Sequence, residues 1–137
     1  MKTIVLDAST VLAWLLPSQA TASADAFLLR ADEFVFIAPH IFSWEVIHVL
    51  AVRSQGQTFR LSAVLDQLET LAIEMDDALS QSEMRQLADV AMRSGLSLFD
   101  ASYLALAIEH DAHLASRDGA LLTAASAAGV DVFDLRR

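Results

Sequence analysis

Short apolar runs alternate with longer segments of helical pattern from one end of the chain to the other. Five runs predict strands, at residues 3–6, 34–38, 72–75, 113–116 and 130–133. The segments between them predict helices, at residues 10–16, 20–30, 41–52, 61–71, 83–93, 99–109 and 120–128. This alternation favours parallel strands joined by right-handed crossovers. The sequence therefore predicts a three-layer α/β fold, with helices on both faces of a parallel five-stranded sheet in the order 3-2-1-4-5.

The composition agrees with one helix-rich domain. The chain has 137 residues without a repeat or linker, so we expect a single domain over residues 1–137. It is 55% hydrophobic and has only 4 Gly and 2 Pro, which excludes disorder and argues against an all-β sandwich. It has no cysteine, which excludes disulfides, thiol nucleophiles and thiolate metal sites and makes the cytoplasm the expected compartment.

The net charge restricts the partners. Nine Lys and Arg against eighteen Asp and Glu give a formal charge of -9, which disfavours loose binding to nucleic acid. A nucleic-acid substrate then requires that divalent cations neutralise several acids, or that a basic partner or scattered arginines contact the phosphates. The arginines considered for this contact are Arg30, Arg53, Arg85, Arg93 and Arg117.

Acidic residues follow two strands that the predicted order makes neighbours. Asp7 follows the first strand and Asp118 follows the fourth, so both face the crevice at the carboxyl edge of the sheet. A simpler role exists for each of them, because both stand where a residue caps a helix. Asp100 is similar, since Ser97 and Asp100 match a capping box. None of the three establishes a site by itself.

Glu45 carries more weight because its neighbours predict a helix that is apolar on nearly every side. Those neighbours are Trp44, Val46, Ile47, Val49 and Leu50. A buried carboxylate without a partner is costly, so Glu45 favours a bound cation, the alternative being a surface glutamate. His48 lies one turn later, but a single Glu-x-x-His pair favours a structural or substrate-contacting histidine over a metal ligand.

Asp7, Glu45, Asp100 and Asp118 together form an all-oxygen ligand set. Hard oxygen ligands select Mg2+, with Mn2+ as its substitute, over zinc. Mg2+ in proteins commonly bridges carboxylates to phosphate, which makes a phosphodiester the expected substrate. The residues therefore predict a metal-dependent nuclease.

Four segments of the chain resemble the motifs of PIN-domain ribonucleases, in particular VapC-like toxins of bacterial toxin-antitoxin pairs. They are residues 5–12 (VLDASTVL), 39–50 (PHIFSWEVIHVL), 96–107 (LSLFDASYLALA) and 114–121 (LASRDGAL). The resemblance spans nearly the whole chain. It implies a PIN-like fold, a Mg2+-dependent endoribonuclease activity, and a catalytic role for Asp7, Glu45, Asp100 and Asp118, with Asp7 and Asp100 as direct ligands of one Mg2+.

The same resemblance extends to residues around the acids. Ser9 and Ser116 occupy places where such proteins often have a hydroxyl that supports the site. Two positions depart from the pattern, since His48 stands where asparagine is frequent and Ser116 where threonine is common. Neither removes a ligand, but His48 leaves the RNA preference open.

The resemblance also implies a homodimer and a small antitoxin that occupies a groove and blocks the site. Large apolar side chains in so small a chain agree with surface that a partner covers. Those expected at such a surface are Trp14, Phe42, Trp44 and Phe59.

Two other functions remain as alternatives. A phosphoaspartate hydrolase or receiver domain has a similar sheet, but the first type needs an aspartate where Ser9 stands and the second a lysine near the last strand, whereas the only lysine is Lys2. A catalytically inert PIN-like interaction module would also suit the apolar, acidic composition. Mg2+-dependent, EDTA-sensitive cleavage of RNA distinguishes the nuclease from both.

Overall fold

The sheet has five strands in a computed structural model that describes residues 1–137. The strands are β1 (Lys2–Leu6), β2 (Phe34–Ala38), β3 (Glu74–Met75), β4 (His113–Ser116) and β5 (Val132–Asp134). All four neighbouring pairs are parallel, and the order is β3-β2-β1-β4-β5. The predicted fold class and strand order are therefore confirmed.

Seven α-helices connect the strands. They are α1 (Ala8–Leu15), α2 (Ala22–Leu28), α3 (Ile41–Arg53), α4 (Thr58–Thr70), α5 (Gln81–Ser94), α6 (Leu98–Glu109) and α7 (Gly119–Ala127). Two 3-10 turns, Pro17–Gln19 and Ala31–Glu33, flank α2. Every predicted helix is present, with ends displaced by at most three residues. None of the helices has the length and apolarity that a membrane crossing requires.

The central strand is buried because helices cover the sheet. Ile4, Val5 and Leu6 of β1 have no exposed surface, and Val5 lies between Ile37 of β2 and Leu114 of β4. A continuous apolar strand is what a parallel sheet buried on both faces requires. The apolar run stops at Asp7, so the first polar residue after β1 lies at the carboxyl edge of the sheet.

The two outer strands differ from their predicted bounds. In the predicted strand 72–75 only Glu74 and Met75 pair, because Ala72 has a φ of 52° as the chain leaves α4. In the predicted strand 130–133 the first residue, Val130, still donates its N–H to Ala125 of α7, so β5 begins at Val132. Backbone geometry at the helix ends thus overrides the apolar pattern.

The four large aromatic residues expected at a partner surface divide into two pairs. Phe42 is fully buried in the core, and Trp14 is half-buried, stacks on Phe27 and donates its indole N–H to the Ala24 carbonyl at 2.8 Å. The expectation was wrong for these two, because the core needs their volume. Trp44 and Phe59 are 70% and 71% exposed, as expected.

Candidate active site

The Asp7 carboxylate lies in a pocket of hydroxyl groups at the end of β1. Asp7 is only 4% exposed, and its Oδ1 accepts from the Thr10 N–H and the Thr10 hydroxyl, both at 3.0 Å. The Ser9 hydroxyl lies 2.8 and 2.9 Å from the two carboxylate oxygens, and the Ser116 hydroxyl donates to Oδ2 at 2.5 Å. Burial raises the pKa of Asp7, while these hydrogen bonds oppose the rise. Both oxygens are therefore held in place without a basic side chain.

Ser116 connects Asp7 to Asp118. While its hydroxyl donates to Asp7, the same oxygen accepts the Asp118 N–H at 2.8 Å. Asp118 then caps α7, since its Oδ1 accepts the Ala120 N–H at 3.0 Å. The capping roles predicted for Asp7 and Asp118 are confirmed, and capping itself directs both carboxylates to the same edge of the sheet.

Asp100 lies in the first turn of α6 and is directed at the other acids. Its N–H donates to the Ser97 hydroxyl at 3.1 Å, but its carboxyl returns no hydrogen bond to Ser97, so only half of the predicted capping box forms. The pKa of Asp100 is raised to about 6, first by desolvation, then by the negative charges of Asp118, Glu45 and Asp7, and last by a hydrogen bond to Asp118. The other three predicted site residues thus lie near enough for their charges to act on Asp100, and we refer to the four residues as the acid cluster.

Glu45 lies on α3 and contacts a residue that the sequence reasoning missed. Its Oε1 accepts a hydrogen bond of 2.6 Å from the hydroxyl of Tyr103, whose side chain is 1% exposed. Burial raises the pKa of Tyr103 above its ordinary value, so the phenol remains a donor. The available signal was spacing, because Tyr103 follows Asp100 by three residues and shares its helix face.

The surroundings of Glu45 differ from the prediction. Trp44, Ile47 and Val52 of α3 are exposed, so the helix is not buried on every side and Glu45 is half-buried. The apolar outer residues misled the prediction, since they belong to the surface. His48 is exposed and forms no hydrogen bond with the four acids, and its role stays open.

Arg117 ties the site edge to the start of the chain. Its guanidinium donates to the Ser9 carbonyl at 2.9 Å, to the Gln19 carbonyl at 2.8 Å and to the Gln19 side-chain oxygen at 2.7 Å. Its backbone N–H also donates to the Ser9 hydroxyl at 3.0 Å. This arginine was grouped with possible phosphate contacts, yet here it holds Ser9 in the position from which Ser9 reaches Asp7.

The model of the PIN-domain family matches residues 4–126, a span that contains all four acids. The chain belongs to the PIN-domain family. A comparison with curated protein sequences gives no significant match.

Solved structures of this PIN-domain fold cover almost all of the chain. FitAcB from Neisseria gonorrhoeae is 22% identical with a TM-score of 0.69, covering 98% of this chain and 99% of its own. VapBC2 from Rickettsia felis, described as bound to a DNA fragment from their promoter, is 14% identical with a TM-score of 0.69 and coverages of 96% and 98%. VapC20 from Mycobacterium tuberculosis, described as a sarcin-ricin loop cleaving toxin, is 17% identical with a TM-score of 0.66 and coverages of 93% and 95%. At these identities the likeness concerns the fold.

The chemistry of the acid cluster of this PIN domain fits a hard divalent cation. All four candidate ligands are carboxylates, and none of them forms a salt bridge with a lysine or arginine. Repulsion by the other acids contributes to the raised pKa of Asp100. A bound cation would reduce this repulsion. With the side chains as they lie, no group of three or more His, Asp or Glu residues could hold an ion directly.

An apolar groove of about 500 Å³ lies along α3, α5 and α6, and none of the four site acids lines it. Trp44 and Phe99 line it, and each is the sequence neighbour of a site acid, Glu45 and Asp100. Other apolar side chains in its wall include Ile41, Leu79, Met84, Leu87 and Ile108. Four acids also line it, namely Asp76, Asp77, Glu83 and Glu109.

Proposed function

We propose that the chain is a Mg2+-dependent endoribonuclease in which Mn2+ can replace Mg2+. The observation that carries the proposal is the convergence of Asp7, Glu45, Asp100 and Asp118 at the carboxyl edge of the sheet in a chain of the PIN-domain family. RNA as the substrate is supported by the motif resemblance and by the Mycobacterium tuberculosis neighbour, which is described as cleaving the sarcin-ricin loop.

Each acid has a separate task in this proposal. Asp7 and Asp100 would hold the divalent cation, whose chemistry when bound would be to polarise the phosphodiester and activate a water. Ser9, Thr10 and Ser116 keep the Asp7 oxygens oriented, and this order exists before any substrate arrives. Glu45 accepts the Tyr103 hydrogen bond on Oε1 and can accept a water proton on Oε2, and Asp118 supports Asp100 across a hydrogen bond.

The proposed biological role is that of a toxin held inactive by a small, co-encoded antitoxin. The Rickettsia felis neighbour is described as VapBC2, bound to DNA from their promoter. The net charge of -9 disfavours nucleic-acid binding, and a basic antitoxin could offset it by neutralising acids around the site. The absence of cysteine agrees with a cytoplasmic location for such a pair.

We place the proposed homodimer contact at the groove. A two-fold interface requires that one surface carry both a hollow and the groups that fill it. The groove provides the hollow, and Trp44 and Phe99 on the same face are 70% and 54% exposed. Light scattering of the partner-free protein should give the mass of two chains, and Trp44→Ser should shift it toward one, whereas Phe59→Ser, at the start of α4 and outside the groove, should not. A monomer at all micromolar concentrations would contradict the dimer.

The test of the activity is cleavage of a panel of transfer, ribosomal and messenger RNAs by protein freed of any co-purified partner. We expect cleavage with Mg2+ or Mn2+, none with EDTA, and none with Asp7→Asn. Asp66→Asn, which changes an exposed acid of α4, should leave the rate unchanged and controls for the loss of one charge. Cleavage that persists in EDTA or in Asp7→Asn would contradict the proposed site, and no cleavage of any RNA would favour the inert interaction module.

A further inference from the structure

Tyr103 lies on the helix of one site acid and forms a hydrogen bond with another. It is the only tyrosine of the chain, and it lies in α6 one turn after Asp100. Its hydroxyl donates to Oε1 of Glu45 at 2.6 Å. The hydroxyl thus joins α3 to α6 beside the cluster.

The hydroxyl, and not the ring, is the part of Tyr103 that needs explaining. A phenylalanine would fill nearly the same volume of the core without burying a polar group. The phenol oxygen is buried, and its donor is used on a residue 58 positions earlier in the chain. A buried hydroxyl that reaches across the core to one carboxylate is kept in place by that contact.

Glu45 depends on this single contact. Its side chain has three rotatable bonds, is half-buried, and forms no other hydrogen bond with the protein. Asp7, by contrast, accepts from three different side chains and one backbone N–H. Without the Tyr103 hydroxyl, nothing would keep Glu45 at one position relative to Asp7 and Asp100.

We propose that Tyr103 is a positioning residue of the nuclease site, whose hydroxyl fixes Oε1 of Glu45 and so leaves Oε2 free to face water and substrate. The inference rests on the proposed function and deepens it by one residue. Tyr103 acts through Glu45 and does not itself contact the reacting atoms.

The contact can be tested without RNA, because a single tyrosine gives an unmixed spectroscopic signal. The Raman doublet of tyrosine reports whether the phenol donates a hydrogen bond to a strong acceptor. In the wild-type chain we expect the pattern of a strong donor, and in Glu45→Gln a shift toward a weaker one. Ser94→Ala removes a hydroxyl that bonds its own helix α5 and should leave the spectrum unchanged. An unchanged spectrum in Glu45→Gln would overturn the proposal.

The positioning role is tested by a double-mutant cycle between Tyr103→Phe and Glu45→Gln. Tyr103→Phe should lower kcat for RNA by about 10- to 100-fold, the usual cost of removing a group that orients a site ligand, with KM changed by less than about twofold. In the Glu45→Gln background the same substitution should change kcat by less than about twofold. Equal losses in both backgrounds would overturn the proposal, because Tyr103 would then support only the fold.

The failure of this proposal can be told from the failure of the proposed function. If wild type cleaves RNA, Glu45→Gln cleaves it more slowly, and Tyr103→Phe cleaves it at the wild-type rate, the nuclease stands and the role of Tyr103 is overturned. If wild type cleaves no RNA, the nuclease function is overturned and the positioning role with it, whatever the spectrum shows. Thermal melting of Tyr103→Phe in parallel ensures that the rates compare folded proteins.

Discussion

Asp7 at the end of β1 and Asp100 in the first turn of α6 belong to one cluster, yet their carboxyls have different surroundings. Asp7 is buried and accepts hydrogen bonds from Ser9, Thr10 and Ser116. Asp100 is half-buried, and the groups that act on it are mainly other carboxylates, which raise its pKa to about 6 together with desolvation. One acid is held by neutral donors and the other is opposed by like charges.

The comparison suggests how the proposed cation site would be prepared before an ion binds. On the Asp7 side the geometry is complete, because hydroxyl donors compensate the buried charge. On the Asp100 side the charge is uncompensated, and a cation is the group that would stabilise it. The two sides should therefore respond in opposite directions when a charge or a hydroxyl is removed.

The largest expected effect is on catalysis, where both sides are needed. Asp7→Asn and Asp100→Asn should each lower Mg2+-dependent RNA cleavage by at least about a hundredfold, since each removes a proposed ligand. Initial rates on a responsive RNA measure this, with Asp66→Asn as the charge-matched control. If Asp100→Asn remains folded and keeps nearly full turnover, the comparison assigns the wrong residues to the site.

The second effect is a loss of folding stability when a hydroxyl group beside Asp7 is removed. Ser116→Ala removes the hydroxyl that donates to Asp7 and accepts from the Asp118 N–H. Asp7 is buried and Asp118 is half-buried, so water replaces these hydrogen bonds poorly. We expect a loss of about 1–3 kcal/mol in the free energy of unfolding, the range for a buried group left without a partner. Urea denaturation measures it, with Ser126→Ala, an exposed position in α7, as the control. Equal free energies of unfolding for the two variants would show that the hydrogen bonds of Ser116 do not stabilise the fold.

The smallest effect is the pH dependence of the metal-free protein. The pKa of Asp100 is about 6 when folded against 3.8 as its ordinary value, so the folded state binds more protons between these two values. The contribution of Asp100 therefore makes stability fall as pH rises from about 4 to about 6, and Asp100→Asn should lack this fall. Unfolding in EDTA at several pH values measures the difference. A wild type that gains stability relative to Asp100→Asn over this range would contradict the sign.

The fold was predictable where strands are apolar and central. β2 and β4 have their predicted bounds and β1 begins one residue early, because a short, mostly apolar run between turns favours a buried strand. β3 was the weak element, since Glu74 and Met75 are exposed and join the edge by backbone hydrogen bonds that leave no side-chain pattern. The starts of β3 and β5 were predicted too early, because backbone geometry after α4 and α7 delays both strands and the apolar pattern carries no sign of it.

The candidate site was predictable to the level of its acids but not of the groups that hold them. Strand order was enough to bring Asp7 and Asp118 to one edge, because parallel strands end together. Thr10 and Tyr103 were missed because their hydroxyls lie in segments that otherwise resemble core. Their hydrogen bonds, to Ala115 from Thr10 and to Glu45 from Tyr103, join distant parts of the chain, and only the tertiary fold brings these together.

The measurement that tests the central claim most directly is thermal melting of wild type and Asp100→Asn, each in EDTA and in Mg2+ near neutral pH. A ligand specific to the folded state adds about 2.7 kcal/mol at a hundredfold excess over its Kd, a shift of about 2–8 °C in a domain of this size. We predict that Mg2+ raises the Tm of wild type by this amount, that metal-free Asp100→Asn melts above metal-free wild type, and that the variant responds little to Mg2+. A metal-free variant that melts lower, with an undiminished Mg2+ response, would show that Asp100 serves α6 alone and that the acids form no cation site.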